Sequence, residues 1–552
     1  MASLGVHGLL ALLGLWLCTK LFLRFWRRGA STTRLSGSPS PSRFLGVMRH
    51  LSLAADSSEI YEEWAARYGP AYEIPAELGR RKIILTDPKA VTHFYSSERS
   101  IYVRPENDRL FVDKIFGRGV LWAEGDTHKR QRKALTPAFS NAAIRRLTAL
   151  FYDSTYKMKS RWDAILDSVP SHDGAVIEVQ ECLDSIGVAG FSHDFRYIDG
   201  QKSAVTAAFE ALQVIETSLF STIIFILSFT FPILLSVPTE RMRLFWALRA
   251  SLDVIAQRLL ANTRREKEAG AAEELMDKSV IGLLLKAEMS GTELHMTQEE
   301  VTAQVPIGLL ISVSLTVRSR ALNIANLRCF DKWALVELAR HPDKLRKDLM
   351  SRFSTDPTWD QLYSELPYLD ATVLKVLRLH PPIGETLREV SSSIHPWHTH
   401  YQFRLQAAHD DIIPLGTPIV TPSGETISSI VIGKGTSVVA PIRFMNRSEA
   451  LWGPDAKEFK PERWFADITT QAKELQGHRH LLTFHDGPRT CLGNAFALAE
   501  FKAALSVLIR NFVLEFPDVP DTKIEKHVSI VPRPKVAGQN GAKVPLKVTR
   551  VE

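Results

Sequence analysis

Between Thr483 and Phe501 the chain reads TFHDGPRTCLGNAFALAEF, a loop punctuated by glycines that runs straight into an apolar-periodic helix. Cys491 is the residue in it suited to soft metal ligation or nucleophilic chemistry. A reactive thiolate needs amide donors, a positive helix end and shielding from water and oxidants. This segment offers all three. Gly487 and Gly493 permit tight turns that aim amides at sulfur. Cys491 stands just before a helix start whose dipole favours an anion. Phe484 can cover the sulfur, and Arg489, two residues from Cys491, can make a charge-assisted hydrogen bond to an acidic group. From these residues alone the reading is an activated or metal-binding cysteine, against the plainer alternative of a buried thiol in an ordinary loop. Cys18, Cys182 and Cys329 are widely separated in the chain. Neither a disulfide framework nor a zinc site is expected from them, and each reads as an inert buried thiol.

Phe484, Gly487, Arg489, Cys491 and Gly493 at this spacing, with Ala497 and Glu500 in the following helix, resemble the cysteine loop of the cytochromes P450. The segments FKPERW (Phe459–Trp464), WAEGDTHKRQRKALTPAFS and YLDATVLKVLRLHPPIGETLRE (Tyr368–Glu389) stand in the order of that family, so the resemblance covers nearly all the chain after residue 40. It implies a mostly α cytochrome P450 fold with a small β region, preceded by one N-terminal transmembrane helix. The implied cofactor is haem b (iron protoporphyrin IX) with the Cys491 thiolate as its axial ligand. The implied reaction is a monooxygenation that inserts one atom of O2 into an apolar small-molecule substrate. Arg489, together with His128 and Arg132 one turn apart on a helix and with Arg388, would hold the haem propionates. Arg378 and Arg463 would be structural, and Thr316 catalytic on the central helix. No flavin or nicotinamide motif is visible, so the resemblance also implies an NADPH-cytochrome P450 reductase as electron source, with cytochrome b5 a further candidate donor. In general character the chain resembles fungal microsomal members.

Three stretches depart from the family pattern. Placing Arg378 before LHPP puts Lys375 where the family has a Glu, beside Arg378 and Arg463 as a third cation, a costly arrangement when buried. The literal string Glu385, Thr386, Leu387, Arg388 follows two prolines and is not read as that helical motif. On the central helix, MTQEEVTAQVP leads into Ser312, Val313, Ser314, Leu315 and Thr316. The hydroxyl survives there, but the family's Gly and acid do not, and the segment 317–332 follows without helical pattern. A second atypical insertion, 390–406, carries His395, His398 and His400, which read as solvated and not as a metal site. The two abrupt insertions also raise the alternative of translated intron sequence in an unstable product, and the altered motifs at Lys375 and Leu315 beside an intact cysteine loop raise that of a haem-binding protein without monooxygenase activity.

The elements that must carry this chemistry belong to a chain of 552 residues, 45% hydrophobic and 23% charged, which is the composition of a globular protein with a large core. Its 68 Lys and Arg against 61 Asp and Glu give +7, spread along the chain, so nucleic acid is not expected as a partner. Leu4 to Phe25 form an apolar run followed by Trp26, Arg27 and Arg28, which reads as a single-pass signal anchor in the endoplasmic reticulum membrane, with membrane lipid around it and the catalytic body in the cytosol. The expected divisions are an anchor at 1–28, a Pro/Ser-rich hinge linker at 29–45 and the catalytic body at 46–552. A second apolar run, Leu219 to Val237, contains Pro232 and reads as a buried or membrane-dipping helix pair in preference to a second span.

Overall fold

The structure is a computed structural model. It describes residues 32–169 except 43, 55 and 99, then 174–178, 219–268 except 229 and 230, 280–289, 294–312, 327–341, 353, 355–390, 410–517 except 467, 522–527, 533–539 and 543–551. It divides into two compact units. The first comprises residues 1–54, 59–105 and 387–441, and the second 55–58, 106–386 and 442–552.

The first unit is built on a five-stranded sheet in the order Ala71–Pro75, Arg81–Leu85, Ser437–Ala440, Thr386–Val390, Tyr102–Val103. Alternation in AYEIP and the run RKIIL bury Tyr72, Ile83, Ile84 and Leu85. The first two strands pair antiparallel with Ala71 opposite Leu85, and Ile83 then pairs parallel with Val438. A separate hairpin, Asp411–Val420 with Thr426–Ile432, carries a register shift between Pro414 and Ile419. Asp87 caps the helix Pro88–Ser96 by accepting from the Ala90 amide and also accepts from the amides of Gly416 and Thr417, which ties that helix to the hairpin.

The expected hinge at 29–45 is pinned down over much of its described part. Thr33 donates its amide to Val431, Ser38 donates to Glu73, and Thr32 shares a hydroxyl contact of 2.8 Å with Thr436. Gly37 forms a bridge with Glu73, whose carbonyl oxygen would lie 1.9 Å from a Cβ at position 37. Glycine is required there by close backbone approach, and Leu35 is buried. Prolines in the linker end a helix, but they do not prevent an extended strand from docking.

The second unit is mainly helical. Four of its helices surround or brace the cysteine loop: α1 (Gly125–Leu135), α2 (Gln298–Ser312), α3 (Pro367–Leu379) and α4 (Asn494–Asn511). The long helix Asn141–Ser168 packs on α4, with the rings of Phe151 and Phe496 4.9 Å apart and nearly perpendicular. A second apolar core gathers Phe111, Phe225, Phe245, Leu248 and Leu252. A three-stranded antiparallel sheet places Pro545–Arg550 between Ala175–Glu178 and Phe512–Glu515. The mostly α fold with a small β region is therefore the fold observed.

Among the described residues no helix is long and apolar enough to cross a membrane. The Leu4–Phe25 run lies outside the described residues. The run at 219–237 makes a ten-residue helix, Leu219–Ser228, and then a 3-10 turn, Pro232–Ser236. The ten described helical residues reach about 15 Å, half the hydrocarbon thickness. The insertion at 317–332 ends inside a helix, Leu327–Arg340, and residues 317–326 and 391–409 lie outside the described residues.

Candidate functional site

The cysteine loop is held from behind by α3 and by Asn446. Thr483 is buried, donates its hydroxyl to the Leu377 carbonyl at 2.9 Å and accepts from the Asn446 amide at 2.8 Å, while Asn446 Oδ1 accepts from the Leu482 N–H. The Phe484 carbonyl accepts the Cys491 N–H at 2.8 Å and so closes the loop. The Phe484 side chain is buried, with its ring edge-on to His478. Gly487 has φ +65° and opens the 3-10 turn Gly487–Arg489, with its N–H accepted by Asp486 and its carbonyl accepting from Thr490. The tight turn expected at Gly487 is thus present. Gly493 differs: it is the N-cap residue of α4 at φ −91°, where any residue fits the backbone, and its use lies in its N–H, which donates to Cys491.

Two opposing influences act on Cys491. Burial pushes the thiol pKa up, whereas the Gly493 amide and the Arg132 guanidinium favour the thiolate. The ten residues 486–495 are all half-buried, so the loop keeps one open face along its length. Arg132 is half-buried on α1, and burial lowers its pKa while Cys491 raises it. Its guanidinium has no carboxylate or hydrogen-bond partner among the described residues. His128, one turn earlier, is buried on the same helix. The donor set therefore fits an anionic, metal-bearing group: a sulfur poised by an amide and a cation, and a guanidinium with no acid of its own.

The remaining cations behave otherwise. Arg489, expected at a propionate, pairs with the Glu124 carboxylate and donates to the Ala123 carbonyl at 3.1 Å, which fastens the loop to the start of α1. Arg388, in the other unit, is half of a buried ion pair with Glu98, its Nε 2.9 Å from the carboxylate and both side chains at most 2% exposed. That contact is close without being directed as a hydrogen bond. Glu385 lies after the end of α3, and Thr386–Val390 is a strand, so the literal Glu-Thr-Leu-Arg string is not a helical motif. Thr316 lies outside the described residues, as do His395, His398 and His400. No metal-holding group of His, Cys, Asp and Glu occurs among the described residues.

On α3, Arg378 donates to the carbonyls of Asn446 (2.6 Å) and Ala456 and stacks over Trp452. Arg463 donates to the carbonyls of Trp452 and Asp455 and to the Asp455 carboxylate. Lys375 is fully buried beside them, and its Nζ has no hydrogen-bond partner among the described residues. Desolvation first, then the two guanidinia, pushes its pKa down to about 6. The expected third cation is therefore in place, but as an amine largely uncharged at neutral pH.

Sequence reasoning missed Glu98, Glu124, Asn446 and the network linking α1 to α2, in which Arg130 and Gln131 both reach Glu300 and Gln304 donates to Gln131. The signal for Glu124 was its place just before α1. The others become partners only through the fold.

A family model described as Cytochrome P450 matches residues 37–396 and 409–537 of this chain. The chain is 53% identical over 565 residues to Cytochrome P450 monooxygenase claO of Ampulloclitocybe clavipes, covering 100% of this chain and 99% of that protein. It is 54% identical to Cytochrome P450 monooxygenase claP of the same fungus, covering 99% and 98%. Cytochrome P450 monooxygenase 128 of Postia placenta is 32% identical, covering 93% and 92%. Among solved structures, the crystal structure of the cytochrome P450DA heme domain superposes with a TM-score of 0.66 at 19% identity, covering 94% of this chain and 99% of that one, a likeness of fold.

Proposed function

The chain belongs to the cytochrome P450 family, and on that premise we propose that it is a monooxygenase placing one oxygen atom of O2 into an apolar organic substrate, with haem b held by Cys491. The family and fold imply a haem with a cysteine thiolate ligand. Held by Cys491, such a haem would supply dioxygen activation with electrons delivered from outside the chain. The observation that carries the assignment to Cys491 is its sulfur facing both the Gly493 amide and Arg132.

The chain's own residues do the rest. The Phe484 carbonyl and Asn446 fix the loop so that the sulfur has a set position. Phe484 excludes water from one side. Arg132 and His128 on α1 are assigned to the propionates. Arg489 and Glu124 tie the loop to the head of α1, and Arg489 stays assigned to a propionate beside Arg132 and His128. Thr316 is assigned to moving a proton toward the reacting oxygen. Electrons are assigned to an NADPH-dependent reductase. The Leu4–Phe25 run, with basic residues after it, supports a single-pass anchor in the endoplasmic reticulum membrane with a cytosolic body.

A reduced, carbon monoxide-bound spectrum of the full chain tests the ligand. Wild type is expected to give the thiolate-type Soret band and Cys491→Ala to lose it. A thiolate band surviving in the variant would overturn the assignment. Turnover with added reductase then separates a monooxygenase from a haem-binding protein without that activity, a second reading favoured by Leu315 and Lys375 standing where the family carries acids.

A further inference from the structure

Helix α3 carries Thr372, Lys375 and Arg378 three residues apart, which sets them along one face. All three are buried. Thr372 Oγ1, Lys375 Nζ and Arg378 Nε have no hydrogen-bond partner among the described residues. The 3-10 turn Pro461–Trp464 packs against this helix and brings two further buried donors without acceptors, Arg463 Nε and Trp464 Nε1. The two carboxylates that act on Lys375 are already committed, Asp455 to Arg463 and Lys460 and Glu337 to His380. Four buried N–H donor groups, those of Lys375, Arg378, Arg463 and Trp464, thus stand against one uncommitted acceptor, the Thr372 hydroxyl, in a core where orphaned donors are rare. A water would bring donors of its own, whereas a halide brings none.

We propose that this cluster is a site for a small inorganic monoanion, with chloride as the probe, bound among Lys375, Arg378 and Arg463 and accepting the N–H groups that the protein leaves unmatched. The site is separate from the cysteine loop and independent of the function assigned to it. Lys375 faces the cations Arg378 and Arg463 and the carboxylates Asp455 and Glu337. Without an anion its amine sheds its proton near pH 6, so binding takes up a proton, and the half-saturating chloride concentration rises up to about 100-fold between pH 6.5 and 8.5.

The test melts full-length holoprotein at fixed ionic strength while chloride replaces gluconate, an anion too large to enter a buried site. Wild type is expected to show a saturable rise in Tm that needs far more chloride at pH 8.5 than at pH 6.5. Lys375→Met and Lys375→Glu are both expected to lose it, the second because it supplies its own carboxylate. A rise of equal size in whichever variant folds, or no chloride-specific rise in wild type, overturns the proposal. Chloride-35 line broadening on wild type alone gives a check that needs no variant: broadening that saturates and weakens with rising pH supports the site, and its absence refutes it.

Discussion

Replacing Lys375 by Met keeps the aliphatic stem inside the core and removes only the amine. The amine has a pKa of about 6 when folded and 10.5 ordinarily. Between those values the unfolded chain carries a proton on this group that the folded chain lacks, so the wild-type fold gains stability as pH rises. At pH 7 the cost of stripping that proton is about 5 kcal/mol, and at pH 9 about 2 kcal/mol, from 1.36 kcal/mol per pH unit. Unfolding entropy scales with chain length, and 552 residues correspond to about 1.2 kcal/mol per degree at the midpoint. In chloride-free buffer Lys375→Met is therefore expected to melt about 4 °C above wild type at pH 7 and about 2 °C above it at pH 9. Lys375→Glu is expected to melt higher as well, because its carboxylate would accept from Arg378 Nε and Arg463 Nε, which lack acceptors. Thermal melting of the holoproteins from pH 6.5 to 9.5 is the assay. A variant that melts at or below wild type at pH 7, or two curves that stay parallel across the range, would refute the buried-amine reasoning.

Gly487→Ala puts a Cβ on a residue at φ +65°, and a cost of about 1–2 kcal/mol should lower the melting temperature by a degree or so and reduce haem content. Comparing the variant's absorbance ratio of Soret to protein with wild type checks it. Arg388→Met removes one partner of the buried Glu98 carboxyl and should lower the melting temperature and soluble yield, whereas Arg388→Met with Glu98→Gln should recover part of the loss. Equal losses in the single and double variants would show that the pair is not coupled. Deleting residues 1–28 should release most of the protein from membranes, and unchanged resistance to alkaline carbonate extraction would show that the membrane contact lies elsewhere.

The cysteine loop is legible in the sequence because its roles are local. Phe484 and Cys491 meet across only seven residues, and the short-range hydrogen bond from the Cys491 amide to the Phe484 carbonyl follows from the turn at Gly487 and the helix start. Lys375 is legible for the same reason, since helical spacing alone puts it beside Arg378. Partners set by tertiary contact are not. Arg489 and Arg388 look like free cations along the chain because the acids that take them, Glu124 and Glu98, stand 365 and 290 residues away. The prolines of the linker suggest a hinge, yet docking of Thr33 on Val431 depends on a hairpin nearly 400 residues later. The fold class is legible without these partners because helical periodicity and the run of buried strand residues do not depend on which cation meets which acid.

Four cations among the described residues fall into two kinds, and the distinction bears on which of them can serve a ligand. Arg489 with Glu124 and Arg388 with Glu98 are matched internally, so an outside anion would have to compete with a carboxylate already in place. Arg132 and Lys375 are unmatched among the described residues. A protein core tolerates an unmatched cation when something else supplies the acceptor, or when the group sheds its charge. Arginine does not shed it at any ordinary pH, but Arg132 is only half-buried and faces the Cys491 sulfur, so solvent and a thiolate can both answer its charge. Lysine has the other route open, and the depressed pKa of Lys375 shows the fold using it. An ion arriving at the α3 cluster would close that route by restoring the proton. The two unmatched cations thus differ: Arg132 keeps its charge at the cysteine loop and is available to an anionic group there, whereas Lys375 makes a site whose occupancy depends on pH.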